Sequence, residues 1–428
     1  MEQGPQSAGA AARFVLAIYR NRLLTLRGHL AGEPMVRFET EEGRRNPYPI
    51  HESFRTRGPL VPTFAGFLAT ADYHLCHELV RSRRFGVRDP ETNVVHGAVF
   101  EHDDVTDRSM LGQNPPEHTR LRRLAAPGFS PKLMRSYETS IEKRVGALID
   151  EVATRDGFDL VHDFAAPLPI GVICDLLGLE DADVAVFEKY GEVMASALDG
   201  VESFGHARRL AVAAARLESV FDRLFELRRR EPRDDLVTSL VAARDEERMT
   251  ARELVAMCQV LLVAGFETTV NLISNAALAL HRTPGSWRRL VEEPELARLA
   301  VEETLRYDSP VQRTIWVALE DTELAGRPIP RGTWVVVLVG GANRDPGVVD
   351  RPNAFVLDRY ADPATPDHLA FSGGAHFCLG APLARLEATI ALRQLAERLP
   401  LLRIAGPPVM RRSVSVRGPA SLAAVPRG

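Results

Sequence analysis

The stretch Phe371-Ser372-Gly373-Gly374-Ala375-His376-Phe377-Cys378-Leu379-Gly380-Ala381-Pro382 sets one cysteine in a glycine-rich loop and then starts an apolar helix. A cysteine so placed can hold a thiolate, and only the thiolate is a strong ligand for a soft metal. The helix expected from about Leu379 to Leu399 turns its free N–H groups back toward the sulfur. Those donors, and the positive end of the helix, favour the anion. Glycines at 373, 374 and 380 let backbone pass close to something flat and bulky.

A second informative stretch lies upstream. Thr250 and Glu253 form a capping box, apolar positions continue to about Leu280, and Pro284-Gly285 ends the pattern. About 32 residues at 1.5 Å each span roughly 48 Å, enough to cross a whole domain. Val260-Leu261-Leu262-Val263-Ala264-Gly265-Phe266 is apolar all round, as in a helix that runs through a core. Glu267-Thr268-Thr269 interrupts it, and an acid with two hydroxyls costs stability there unless paired or used. Gly265 opens a notch just before them. Thr268 is spaced to bond back to the carbonyl of Ala264 or to release it. A notch, a hydroxyl and a carboxylate in a dry groove suit the binding of O2 and a chain of protons.

Both stretches resemble the cytochrome P450 family. Its cysteine loop reads Phe, two residues, Gly, one residue, a basic residue, one residue, Cys, one residue, Gly. Phe371, Gly374, His376, Cys378 and Gly380 fill every position, and Ser372 stands where the family often has glycine. Ala264, Gly265, Glu267, Thr268 and Thr269 match the family's helix pattern. The resemblance implies haem b (iron protoporphyrin IX) with Cys378 as the axial ligand of the iron, and with Phe371, Gly265 and Gly380 around the cofactor. A thiolate on haem iron pushes electron density that favours O–O cleavage. By the same resemblance Thr268 hydrogen-bonds dioxygen and Glu267 feeds protons from solvent.

Other motifs extend the match. Glu303 and Arg306 are three apart on a predicted helix, so they share a face; Tyr307-Asp308-Ser309-Pro310 follows. In the family such a pair meets a third arginine from a later loop, and Arg359 in Phe355-Val356-Leu357-Asp358-Arg359 is the candidate. The expected role is a buried structural network. His118 and Arg122 are four apart on a helix that starts near Pro115-Pro116, and face one side. Buried haem propionates need cationic or hydrogen-bonding partners, and the resemblance assigns them His118, Arg122 and His376. Arg120 and Arg123 face away and are candidates for a basic patch where a ferredoxin docks, or plain surface charge. Trp316 stands where many bacterial relatives have a propionate-binding arginine, so the resemblance leaves two alternatives: Arg313 reaches instead, or the propionate is held differently. Ala342-Asn343-Arg344-Asp345-Pro346 is a family-like structural turn.

Composition narrows the class. The chain has 428 residues, 45% of them hydrophobic, ample for a large core. A net charge of −4 gives no nucleic-acid signal. Four widely spread cysteines with no CxxC pair argue against a disulfide framework and fit a reducing cytoplasm. Apolar runs near the start are broken by Arg20 and Arg22, too short and too charged for a signal peptide or a spanning helix. An amphipathic surface helix at 11–30 is the residual membrane alternative. No HExxH or clustered histidine spacing suggests zinc, and no phosphate-binding glycine loop follows a strand.

Helical periodicity dominates from about 117 to 310, including 139–154, 207–230 and 295–307. Strand-like runs are few: 60–64, 315–319, 333–339 and 413–416. Segment 85–115 reads as a long polar loop. The expected fold is mainly α with small β-sheets: by resemblance a helix-rich triangular prism with a smaller β-rich region. Residues 1–44 read as a partly helical extension and 45–428 as one haem domain. The expected function is a haem-thiolate monooxygenase that inserts one atom of O2 into a small apolar substrate. Electrons are expected from a separate ferredoxin and its NAD(P)H-dependent reductase, to a monomer with no nucleic-acid partner and no stable membrane insertion. A peroxide-driven or non-oxygenating relative, or a non-catalytic haem sensor, is the alternative; the Glu267-Thr268 pair argues against the peroxide route. The substrate pocket is expected from 85–112, 190–206, Leu261 to Thr268, Val311 to Trp316 and the turn near Ser413, with Phe266, Val263 and Val311 making it apolar.

Overall fold

The fold is built around one buried helix. A computed structural model describes residues 30–95, 108–179, 181–196 and 203–427, with 23 and 26–28. Residues 11–22 of the N-terminal stretch, Glu101-His102-Asp103-Asp104 and 197–202 lie outside these. Among the described residues eleven helices have eight or more residues: α1 Tyr48–Arg55, α2 Tyr73–Arg81, α3 Glu117–Ala125, α4 Pro131–Ala153, α5 Pro167–Leu177, α6 Asp181–Ala195, α7 Phe204–Arg230, α8 Leu236–Asp245, α9 Ala251–Arg282, α10 Ala297–Tyr307 and α11 Ala381–Arg398. The expected long helix is α9. Thr250 Oγ1 accepts from Glu253 N and the Glu253 carboxylate accepts from Thr250 N, so both halves of the capping box form. α9 is apolar on nearly every side because α5, α6, α10 and α11 all pack on it.

Among the described residues the β structure is small and divided among four sheets. Strands β1 Val61–Pro62, β2 Leu68–Thr70, β3 Phe85–Gly86, β5 Thr314–Ala318 and β8 Trp334–Val337 form one sheet in the order β1-β2-β8-β5-β3. Only β2 and β8 run parallel; the other pairs are antiparallel. This sheet joins residues near 70 to residues near 335, so the cysteine loop is approached from both ends of the chain. β4 Phe158–Asp159, β9 Arg403–Ile404 and β12 Ala423–Val425 form a second sheet; β6 Thr322–Leu324 pairs with β7 Arg327–Ile329, and β10 Val409–Met410 with β11 Pro419–Ser421.

The run 413–416 departs from its expected strand. It forms the turn between β10 and β11: Val416 N donates to Ser413 Oγ at 2.8 Å, and Val416 makes only an isolated bridge to Val311. Serine side chains that bond nearby backbone compete with a strand ladder in this way. The 85–115 segment also holds more order than a loop, with β3 at its start and a short 3₁₀ turn at Met110–Gly112.

Candidate active site

The cysteine loop closes on itself before α11 begins. Cys378 N donates to the Phe371 carbonyl at 2.9 Å, and Phe377 N to the Gly374 carbonyl at 3.2 Å. Burial pushes the Cys378 thiol up, while the N–H groups of Gly380 and Ala381 and the charges of Arg122 and Arg385 pull it back. The expected N-terminal donors of the helix therefore do face the sulfur.

The loop glycines act differently from expectation. A Cβ at Gly373 would stand 2.9 Å from Val80, and one at Gly374 2.8 Å from the Val80 carbonyl oxygen. These two residues let the loop press on the end of α2. Gly374 also has φ +57°, and Ser372 takes φ +59° without being glycine. At Gly380 a Cβ would meet only ordinary contacts, 3.9 Å from Phe129 and 4.0 Å from Cys378 Sγ. What Gly380 contributes is its N–H.

On α9, Thr268 Oγ1 donates to the Ala264 carbonyl at 2.7 Å, as the spacing suggests. Ala264 is exposed although its helix neighbours Val260 to Val263 are buried. The open face is therefore at Ala264, not at Gly265. The space beside Gly265 belongs to Ile173 of α5, whose Cδ1 would be 2.8 Å from a Cβ there. Phe266, two residues on from Ala264 and so roughly 200° round the helix, is buried in the main core instead of facing that opening.

Glu267 is buried, and its carboxylate lies 3.5 Å from Arg411 Nη1. Arg411 follows β10, and its Nε also donates to Asn271 Oδ1 at 3.0 Å. Nothing in the sequence marked Arg411 as this partner: 144 positions separate it from Glu267, outside any local spacing rule.

His118 and His376 meet, with ring centroids 4.1 Å apart. Burial, with the nearby Arg122 charge, holds both imidazoles below their usual range, His376 down to about 3. His118 Nδ1 and His376 Nε2 are buried without hydrogen-bond partners. Trp316 completes the cluster, edge-on to His376 at 5.6 Å, its N–H taken by Thr314 Oγ1. Arg313 does not replace it. An odd step along an extended segment reverses the face, and Arg313 Nε donates to Ser415 Oγ at 3.2 Å. Arg120 is held at 2.8 Å by Glu117 and is paired to Glu253 at the start of α9, which neutralises it as a docking charge; Arg123 is exposed.

The Glu303–Arg306–Arg359 network forms as expected. Arg306 Nε and Nη2 each donate to the Glu303 carboxylate at 2.8 Å, and Arg359 Nε lies 3.1 and 3.2 Å from its two oxygens. Asn343, in the turn flagged as structural, accepts from Leu369 N and donates to the Leu305 carbonyl, which ties α10 to the approach of the cysteine loop. A further cluster was missed. Glu302 accepts from Arg385 at 2.6 Å and sits 3.1 Å from His368 Nε2, while Arg385 stacks 4.6 Å over Phe371. Each member is one more charged residue on a helix or loop until the fold brings them together.

A profile of the cytochrome P450 family matches residues 72–403. The chain belongs to the cytochrome P450 family. The biotin biosynthesis cytochrome P450 of Bacillus subtilis is 35% identical over 372 residues, 86% of this chain and 92% of that one. Cytochrome P450 107B1 of Saccharopolyspora erythraea is 41% identical over 314 residues, 72% of this chain and 75% of its own. Among solved structures, P450BioI in complex with hexadec-9Z-enoic acid ligated acyl carrier protein superposes with a TM-score of 0.83 at 34% identity, covering 90% of this chain and 98% of that one. Ligand-free CYP164A2 of Mycobacterium smegmatis gives the same TM-score at 36% identity, over 92% and 99%. The mainly helical P450 fold, the monooxygenase class of the enzyme and a haem-thiolate cofactor follow for this P450.

Proposed function

We propose that this P450 oxidises a small apolar compound with one oxygen atom of O2, using electrons from a separate ferredoxin and its NAD(P)H-dependent reductase in the cytoplasm. The observation that carries the reading is the hydroxyl of Thr268 on the carbonyl of Ala264, an exposed residue in the buried middle of α9, with Glu267 adjacent.

The residues fit the family's haem. Cys378 offers a sulfur faced by two N–H donors, and His118 and His376 carry orphaned buried nitrogens next to Arg122, as carboxylates at a cofactor edge require. Cys378 is the proposed iron ligand, Phe371 and Gly380 its immediate support, and His118, Arg122 and His376 the propionate partners. Gly265 serves indirectly, by seating α5 against α9. Haem bound by a thiolate supplies O2 activation and oxygen transfer. The protein's share is to hold the sulfur anionic, exclude water and manage protons. Thr268 Oγ1 presents a hydrogen bond at the open face of α9 and can change its donor direction by releasing the Ala264 carbonyl. Glu267, held by Arg411 on its far side, is placed to take up protons and pass them toward Thr268. Glu303, Arg306 and Arg359 keep the framework under the cysteine loop.

The test supplies NAD(P)H, a ferredoxin and its reductase under isotopically labelled O2, with a panel of apolar compounds first screened for a spin-state shift. The expected result is one labelled oxygen atom per product. Normal reduction of the haem with no compound oxidised would overturn the reading in favour of a sensor.

A further inference from the structure

We infer that the helix carrying Leu23, Leu26 and Leu30 docks this P450 on an anionic phospholipid bilayer, lying in its surface without crossing it. Residues 23, 26–28 and 30 are helical. Leu23 is 50% exposed, Leu26 55% and Leu30 82%, and Leu30 is the most exposed large apolar side chain among the described residues. Steps of three and four residues keep these leucines on one helix face. The sequence continues the same steps upstream to Tyr19 and Leu16.

The way the helix meets the body turns this stripe outward. A Cβ at Gly28 would stand 2.7 Å from Val36 and 3.4 Å from Phe64, so the helix rests on the protein at that point of its backbone. At about 100° per residue, Gly28 lies roughly 200° round the helix from Leu26 and Leu30 and roughly 140° from Leu23. The contact with the body and the leucine stripe therefore occupy opposite faces. The helix ends in a defined stop: Glu33 N donates to the Gly28 carbonyl at 2.9 Å, with Gly32 before it at φ +66°. Glu33 then lies 3.8 Å from Arg57, just beyond α1, a second point of attachment.

Charge selects the occupant. Between Gln3 and Gly32 the sequence has Arg13, Arg20, Arg22 and Arg27 and no aspartate or glutamate, while the whole chain carries −4. Attraction to an anionic surface is therefore local to this stretch. Arg27 is exposed and, four residues from Leu23, stands at the edge of the stripe. Arginines there lay their stems along acyl chains and keep their guanidinium groups among lipid phosphates. A second copy meeting along the same stripe would set arginine against arginine with no acid to pair them. An anionic bilayer takes the leucines and the arginines together.

The experiment floats the haem-loaded full chain with vesicles of mixed phosphatidylglycerol and phosphatidylcholine, and with vesicles of phosphatidylcholine alone, at low and at high salt. Binding to the anionic vesicles should be at least about tenfold tighter than to the neutral ones, and should weaken at high salt. Arg20→Gln, Arg22→Gln and Arg27→Gln combined should weaken it about a hundredfold. Leu26→Ser with Leu30→Ser should weaken it at least about tenfold. Both variants should keep the parent's haem absorption and urea midpoint, which separates lost docking from lost folding. Equal binding to both kinds of vesicle, no binding to either, or anionic binding that survives the leucine substitutions would overturn the inference. So would a dimer in sedimentation velocity that the leucine substitutions abolish, since the stripe would then belong to a second copy. The readout is vesicle binding and not turnover, so failure of the oxygenase reading remains a separate result.

Discussion

Glu303→Gln isolates one charge in the buried network below the haem loop while keeping the side chain's size. Four N–H groups converge on that carboxylate: two from Arg306 at 2.8 Å, that of Arg359 Nε shared between the two oxygens at 3.1 and 3.2 Å, and that of Val356 at 2.8 Å. An amide leaves one acceptor oxygen and turns an NH2 toward two guanidinium groups. Breaking a buried ion pair from one side costs about 3–5 kcal/mol. Here both arginines keep carbonyl partners, Arg306 on Asn343, Pro352 and Ala354, and Arg359 on Asp350. Those contacts place the loss near the lower end, about 3 kcal/mol, against a total stability of about 5–15 kcal/mol. Urea unfolding, followed by circular dichroism and by haem absorbance, measures it. Because Asn343 links this network to Leu369, haem release should come at lower urea than in the parent. A loss below about 1 kcal/mol, as for an exposed pair, would refute the argument that the charge is buried and shared.

Gly374→Ala places a Cβ against the Val80 carbonyl at positive φ, and should cost about 2–4 kcal/mol in the same assay; Ser372→Gly, relieving φ +59°, should be neutral or stabilising by up to about 1 kcal/mol. Burial pushes the carboxyl of Glu387 on α11 up to about 8, against the pull of Arg144. A raised folded value means stability is complete below the unfolded value of about 4.3 and is lost as pH rises to the folded one. Glu387→Gln should therefore match the parent below pH 4 and become progressively more stable than it up to about pH 8, measured by urea unfolding across pH. Thr268→Ala should fold normally yet lower product per electron at least about tenfold, with the missing electrons recovered as peroxide or water in a product balance.

Much of the site is readable because its parts are local. The cysteine loop, the capping box of α9, Glu303/Arg306 and His118/Arg122 each depend on residues a few positions apart, where helix and turn geometry bring side chains together. The fold class follows for the same reason, since α9 carries its burial in its own composition. What escapes the sequence is contact across long separations. Arg411 reaches Glu267 only because the β10–β11 hairpin folds back on α9, and Gly373 and Gly374 meet α2, nearly three hundred residues earlier in the chain. Gly265 was misread because a missing side chain looks the same whether it makes room for a ligand or for Ile173. The run 413–416 has strand residues, but Ser413 bonds its own backbone and turns the chain.

The central claim is that Cys378 holds haem iron as a thiolate. The most direct measurement is the absorption of the reduced, CO-treated protein, taken for the parent and for Cys378→Ala. The parent should absorb at the long wavelength characteristic of thiolate-bound haem, and the variant should lack that band. A parent that takes up no haem, or a variant that keeps the band, would contradict the account.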